Sequence, residues 1–398
     1  MLHRAWQRLP PRARRRWLVR ATALAAPRPD RVPPETSGGL VVGGEIGRPS
    51  GLGEAARIMA AAAGRLGVER CEVAAGPGKR VRDDADWPER AAILLHVNAP
   101  QIPATLMGFG AKRLRGRRVI GQWAWELPVL PAEWRHAVPF VHEVWAPSRF
   151  TARAIEAIMP GKVRVVPHPV ALAPPVPAAM GRDAFGLPAD AFVVLCSFSL
   201  ASSFARKNPL AAIAAFRDAF GERMDRLLLL KVGNAEHWDA DLAVLRDAVA
   251  GAPNIRLMTA MLAEGEMHAL TRNCDAVLSL HRSEGFGLVP AQAMLLERAV
   301  VATDWSATAE FLHPGCGMPV RYRLVPARDP RGVFEAPGAV WADAEVGDAA
   351  RALRWLAEDG ERPVRLGRAA AAEGRARFGG AELRDALAAA GIGMAVEA

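Results

Sequence analysis

From residue 39 onward the chain alternates short apolar, largely β-branched runs with stretches whose apolar positions recur every three or four residues. The short runs predict strands at 40–44 (LVVGG), 68–75, 91–97 (AAILLHV), 117–123, 143–148 and 162–167. The periodic stretches between them predict helices at 53–66, 131–139 and 149–158. Residues 170–190 (VALAPPVPAAMGRDAFGLPAD) carry no period and read as a linker. Then the alternation restarts, with strands expected at 191–199, 226–233, 254–259, 275–281 and 299–304. Helices are expected at 208–220, 238–250, 263–272, 288–297, 345–358 and 361–378. Strands that alternate with helices form parallel, helix-covered sheets. The reading is α/β, with two doubly wound domains facing a cleft. Ligands in such sheets bind beyond the carboxyl ends of the strands, which makes those ends the place to look.

Composition narrows the class. A 398-residue chain that is 51% hydrophobic and 23% charged is an ordinary globular protein, not a disordered or disulfide-stapled one. Cys71, Cys196, Cys274 and Cys316 are far apart, make no metal-ligand spacing and read as small buried residues in a reducing compartment. No apolar run approaches the ~18 residues of a membrane span. The net charge of +9 is uneven, because residues 1–35 contain nine arginines against Asp30 and Glu35. The folded body is not the uniformly basic surface of a nucleic-acid binder, so no nucleic-acid partner is expected for it. Arg20 interrupts the apolar stretch that a secretory signal would need. A helix over 12–26 would line up Ala13, Trp17, Ala21 and Leu24 on one side and Arg12, Arg16 and Arg20 on another. With Trp6 and Leu18 nearby, that arrangement suits an anionic membrane surface, with a solvated extension as the competing reading and an RNA-binding arm as a weaker third. The expected organisation is a basic extension (1–37), a first domain (38–170), the linker (171–190), a second domain (191–380) and a C-terminal helix or tail (381–398).

Four segments carry chemistry. In HRSEGFGLVPAQAM (281–294) a strand runs into Glu284, then Gly285-Phe286-Gly287, then a helix. Glycines at such a turn let a ligand approach the backbone, and the amides of a helix start favour phosphate. Glu284 could accept hydrogen bonds from sugar hydroxyls, and Gln292 lies about two helical turns further on. In FSLASSFARKNPLAAIAAF (198–216) Arg206 and Lys207 stand just before a helix start. Two cations match a diphosphate. They are unfavourable at that end of a helix, so something anionic is expected to offset them. The loop GGEIGRPSGLGEAAR (43–57) is dense in glycine but has no GxGxxG in register, with Glu54 and Arg57 at the following helix start. In VIGQWAWELPVLP (119–131) Trp123, Trp125 and Glu126 end a strand, an arrangement that suits either carbohydrate stacking or a tryptophan core. His96, closing an apolar run, reads as a satisfied core histidine.

Over roughly residues 38–380 the chain resembles the retaining glycosyltransferases of family four, the group-one glycosyl transferases with the GT-B fold. The likeness is strongest in GQWAWELP, VHEVWAPSRF and VRVVPHPV (119–170) and in RKNP, SEGFGLVPAQAM and VVATDWSATAEF (191–312). These blocks are similar to a bacterial subgroup tied to surface-polysaccharide assembly. The resemblance implies transfer of a sugar from a nucleoside diphosphate sugar to a glycan or lipid-linked hydroxyl, with retention of configuration. It implies no metal and no cofactor beyond the donor; the cysteines point to a cytoplasmic location, and the basic arm to peripheral contact with the inner face of the cell membrane. It implies that Arg206 and Lys207 contact the diphosphate and that Glu284 holds sugar hydroxyls. Gly285, Phe286, Gly287 and Leu288 would line the donor, with Gln292 on its ribose. Gly51, Gly53 and Arg57, with Trp123 and Glu126, would shape the acceptor side. Two positions depart from the pattern. Gln292 stands where the family has a second glutamate, and the stretch Gln122–Glu126 stands where many members have a histidine. A GT-B scaffold without strong activity and a sugar-nucleotide epimerase are the competing readings; a dinucleotide oxidoreductase fits least.

Overall fold

The computed structural model describes residues 11–82 and 87–394, which fall into two compact units. The first comprises residues up to 173 together with those from Gly380 onward, and the second spans Pro174–Gly379.

The first unit begins with α1 (Pro11–Ala25), followed by β1 (Leu40–Gly44), α2 (Gly51–Arg65), β2 (Arg70–Ala74) and β3 (Ala92–His96). Then come α3 (Ile102–Phe109), α4 (Ala111–Leu114), β4 (Val119–Gln122), β5 (Glu143–Ala146), α5 (Arg149–Glu156) and β6 (Val163–Val165). The six strands form one parallel sheet in the order β2-β1-β3-β4-β5-β6. Burial explains the parallel arrangement: β1 and β3 are covered along their whole length, as strands packed on both faces must be. The expected helix at 131–139 is a 3-10 segment, Ala132–Phe140, with Pro139 inside it. Proline removes a backbone donor and disfavours a continuous α-helix there.

In the second unit β7 (Phe192–Ser199) leads through the short α6 (Phe204–Lys207) into α7 (Pro209–Phe220). There follow β8 (Arg226–Gly233), α8 (Asp239–Val249), β9 (Ile255–Met258), α9 (Glu264–Arg272), β10 (Ala276–Ser279), α10 (Leu288–Leu295) and β11 (Ala299–Thr303). Next are β12 (Met318–Val320), the hairpin β13 (Tyr322–Pro326) and β14 (Val340–Ala344), then α11 (Val346–Ala357) and α12 (Glu361–Arg377). The parallel order is β12-β11-β10-β7-β8-β9. Its direction reverses between β7 and β10, and the crevice at the carboxyl ends there is where doubly wound sheets bind ligands.

The C-terminal segment, expected as a helix or tail, contains the helix Ala381–Ala389, and its Leu383, Ala386 and Leu387 complete the apolar cluster under α2. Two expectations change. The linker is divided between the units after Ala173. Cys71 is half-buried, while the other three cysteines are buried, with Cys196 and Cys274 pushed up to about 12 by burial. Trp6 lies outside the described residues. Of α1, Val19 is buried, whereas Trp17, Leu18, Arg20 and Leu24 are exposed, Leu24 at 85%.

Candidate functional site

The chemistry of the second unit gathers at the β7–β10 reversal. The turn after β7 is shaped by Ser203, which holds φ +85° and caps α6 by accepting from the Arg206 amide at 3.3 Å. Arg206 and Lys207 therefore lie in the last turn of a separate four-residue helix, where cations are favourable, and not at the start of α7. The anion expected to offset them comes from the chain itself. Glu284, just beyond β10, pairs with the Lys207 ammonium and lies 3.2 Å from the Arg206 guanidinium. Burial by itself would raise the Glu284 carboxyl; Lys207 and Arg206 outweigh it and hold it down at about 2.

The two cations differ in what they offer a ligand. Arg206 is 3% exposed; it donates to the carbonyls of Ser283 (2.8 Å) and Ser202 (3.1 Å), and its guanidinium carbon lies 5.0 Å from the centre of the Phe334 ring. It is a buried clamp that ties the loop after β7 to the loop after β10. Lys207 keeps part of its surface open. Two cations against one carboxylate leave the cluster a net charge of +1.

The backbone around Glu284 is equally determined. Its amide donates to Ser306 Oγ at 2.8 Å. Phe286 turns inward, its ring 5.5 Å from Phe378 and 6.0 Å from Phe311, so its side chain anchors the turn. Gly287 takes φ +95°, and a Cβ there would lie 2.7 Å from Thr308. Only glycine fits, and α10 starts on it without a side-chain cap, a helix start whose amides can donate to an anion. Gln292 is half-buried on α10. Beneath the turn His281 bridges Ser279 Oγ and Thr308 Oγ1, each at 3.0 Å, and burial lowers its imidazole to about 4.

Sequence reasoning missed the brace on this site. Asp329, in the loop of the β13–β14 hairpin and 1% exposed, accepts from Ser203 Oγ (3.2 Å) and from the amides of Val333 (2.9 Å) and Phe334 (3.1 Å). Arg331 lies 3.3 Å over the Trp238 ring, donates to the Leu200 carbonyl and pairs with Asp241. The only available signal was a Pro/Gly-rich stretch with no period.

The first unit holds the remaining candidates. Ser50 caps α2 by accepting from the Gly53 amide at 3.1 Å. A Cβ at Gly53 would meet the carbonyls of Glu45 and Arg48 within 2.6 Å, whereas Gly51 faces open space. Arg57 donates to the Ile46 carbonyl (2.8 Å) and pairs with Glu54, so it ties the loop to its helix. The tryptophans are core residues. Trp123 is fully buried edge-on to Trp134 (5.8 Å), and Trp125 packs on the same ring at 5.1 Å. Trp123 thus has no face for a sugar; Glu126 beside it is half-buried. His96 is buried but not satisfied: both ring nitrogens lack a hydrogen-bond partner among the described residues, as do both amide atoms of Gln122 on the neighbouring strand. Burial lowers His96 well below the usual histidine value and His168 to about 4.

Residues 192–343 match the family described as Glycosyl transferases group 1. No curated protein matches the chain significantly. Among solved structures, Anabaena HepE in complex with UDP-glucose is 15% identical, with TM-score 0.60, over 88% of this chain and 98% of its own. WaaG, a glycosyltransferase involved in lipopolysaccharide biosynthesis, is 13% identical, with TM-score 0.56, over 89% of this chain and all of its own. A TarM variant from S. aureus, in complex with fondaparinux, α-GlcNAc-glycerol and UDP, is 11% identical with TM-score 0.53; 75% of this chain covers 55% of it. The architecture, two units each built on a parallel six-stranded sheet, is the GT-B fold.

Proposed function

We propose that the protein is a glycosyltransferase that moves a sugar from a nucleoside diphosphate sugar to a hydroxyl of a glycan or lipid-linked acceptor, retaining anomeric configuration and needing no metal. The observation that carries this reading is the meeting of Lys207, Arg206 and Glu284 with the uncapped start of α10 at the β7–β10 reversal. All of it lies inside the segment that matches the family. Departure of a nucleoside diphosphate builds negative charge on the β-phosphate. A fixed ammonium and helix-start amides stabilise that charge without reorganising, the role a divalent ion plays in other transferases. Glu284 orients the Lys207 ammonium through one oxygen and faces Arg206 with the other, and the remaining lone pairs of the carboxylate offer acceptors for donor-sugar hydroxyls. The neighbours' ligands, UDP-glucose in HepE and UDP in TarM, support a nucleotide sugar as donor.

An acceptor at the inner face of the cell membrane completes the proposal. It is supported by the exposed Trp17, Leu18 and Leu24 beside Arg20 on α1. Among the described residues no helix is long and apolar enough to cross a membrane, so attachment would be through this surface. The test is a panel of UDP-, GDP- and ADP-sugars with purified protein, with and without a chelator. It scores thermal stabilisation, transfer and the anomeric configuration of the product. Transfer with retention in the presence of chelator is expected. Stabilisation without transfer would instead favour the scaffold reading that Gln292 keeps open, an epimerised donor would favour an epimerase, and no response to any nucleotide would defeat the proposal.

A further inference from the structure

The cluster at the β7–β10 reversal carries a net charge of +1, which is less than a nucleoside diphosphate needs for neutralisation. A third cation lies on β8, the strand next to β7. Lys231 of β8 is 5% exposed, and among the described residues it makes neither a hydrogen bond nor an ion pair. Burying most of a lysine side chain without a counter-charge is unfavourable, and burial lowers its pKa.

The register shows where it sits. Lys231 is opposite Ser197 of β7 and Met258 of β9, and Ser279 of β10 continues the same row. The alternate positions Val194, Cys196, Phe198, Leu228, Leu230 and Val232 fill the apolar cluster on the other face. Along the Lys231 row Ser197, Met258 and Ser279 are only half-buried, two residues short of the end of β8, so this face is left partly open near the strand ends. Ser197 lies on the strand that leads into the turn bearing Lys207, and neighbouring strands are about 4.8 Å apart.

We infer that Lys231 is a further donor-binding residue, its ammonium neutralising a phosphoryl oxygen of the nucleoside diphosphate held by Lys207. This inference rests on the nucleotide-sugar reading above. A lysine kept buried without a counter-charge destabilises the empty protein, and an arriving anion removes that penalty.

The experiment compares wild type with Lys231→Met, which keeps the length and removes the charge, measuring thermal midpoint and the affinity for UDP, inorganic pyrophosphate and uridine. The Met variant is expected to melt higher, by ~2–4 °C. It should bind UDP and pyrophosphate about tenfold more weakly, as befits one charge-assisted contact, with uridine unaffected. A lower midpoint with unchanged UDP affinity would make Lys231 structural and overturn the inference. An equal loss for uridine would move the contact to the nucleoside and overturn the phosphate assignment. Wild type that binds no UDP, GDP or ADP would overturn the nucleotide reading itself, whereas wild type and variant binding equally would remove Lys231 alone. Should the Met variant fail to fold, Lys231→Gln carries the same comparison.

Discussion

Glu284 closes on Lys207 across 77 residues of sequence, so that one carboxylate orients the cation that the donor reading needs. Lys207→Ala should lower turnover by about 10²–10³-fold, because the lost charge acts on the leaving group as it departs. The KM for donor should move far less. Steady-state kinetics check this, and an unchanged kcat would remove Lys207 from the chemistry.

Glu284→Ala leaves Arg206 and Lys207 without their common partner. Removing one member of a buried ion pair is expected to cost about 3–5 kcal/mol. Urea denaturation of the variant measures it. A loss under about 1 kcal/mol, the range of exposed pairs, would show that the carboxylate is not the keystone of the turn.

Acid should unfold the protein in two stages. His168 and His281 are held at about 4 by burial, below the 6.5 of an unfolded histidine, so the unfolded chain binds more protons between these values. Stability should therefore fall as pH drops from 6.5 to 4. Glu284, held at about 2 against 4.5 when unfolded, contributes stability that is complete above 4.5 and is lost as pH drops towards 2. Urea midpoints taken across this range test the order. His168→Gln should flatten the upper stage and leave the lower one intact.

Asp329 should matter to a site it does not touch. Asp329→Ala strips the acceptor from Ser203 Oγ and from the amides of Val333 and Phe334, at an expected cost of about 1–3 kcal/mol. The loosened Ser203 turn should let the Arg206 amide, which donates to Ser203 Oγ, exchange faster with solvent. Hydrogen exchange resolved at Arg206 gives the answer without reference to activity.

On α1 the exposed and buried positions should separate cleanly. Replacing Trp17 and Leu24 by serine should weaken binding to vesicles containing anionic lipid and leave the melting temperature unchanged, since both side chains face outward. Val19→Ala should do the reverse, lowering stability by about 1 kcal/mol through its buried contact. Sedimentation with vesicles and thermal melts together decide whether this face is a docking surface.

Much of the architecture was legible because periodicity is a local property. β1 begins and ends where LVVGG does, and β8 where RLLLLKVG does. The β13–β14 hairpin was illegible, since Pro326, Pro330, Gly332, Pro337 and Gly338 break any period between its strands. For the candidate site the sequence by itself determined the residue types and their place at strand ends: Arg206 and Lys207 after β7, Glu284 and Gly287 after β10. Only the tertiary structure decided that Glu284 neutralises those cations, that Arg206 is a clamp, that Trp123 belongs to the core and that Lys231 has no ion-pair partner among the described residues. The reason is that alternation along a strand depends on near neighbours. Which charges meet depends instead on the strand order β10-β7-β8, and that order is set by packing between segments far apart in the chain.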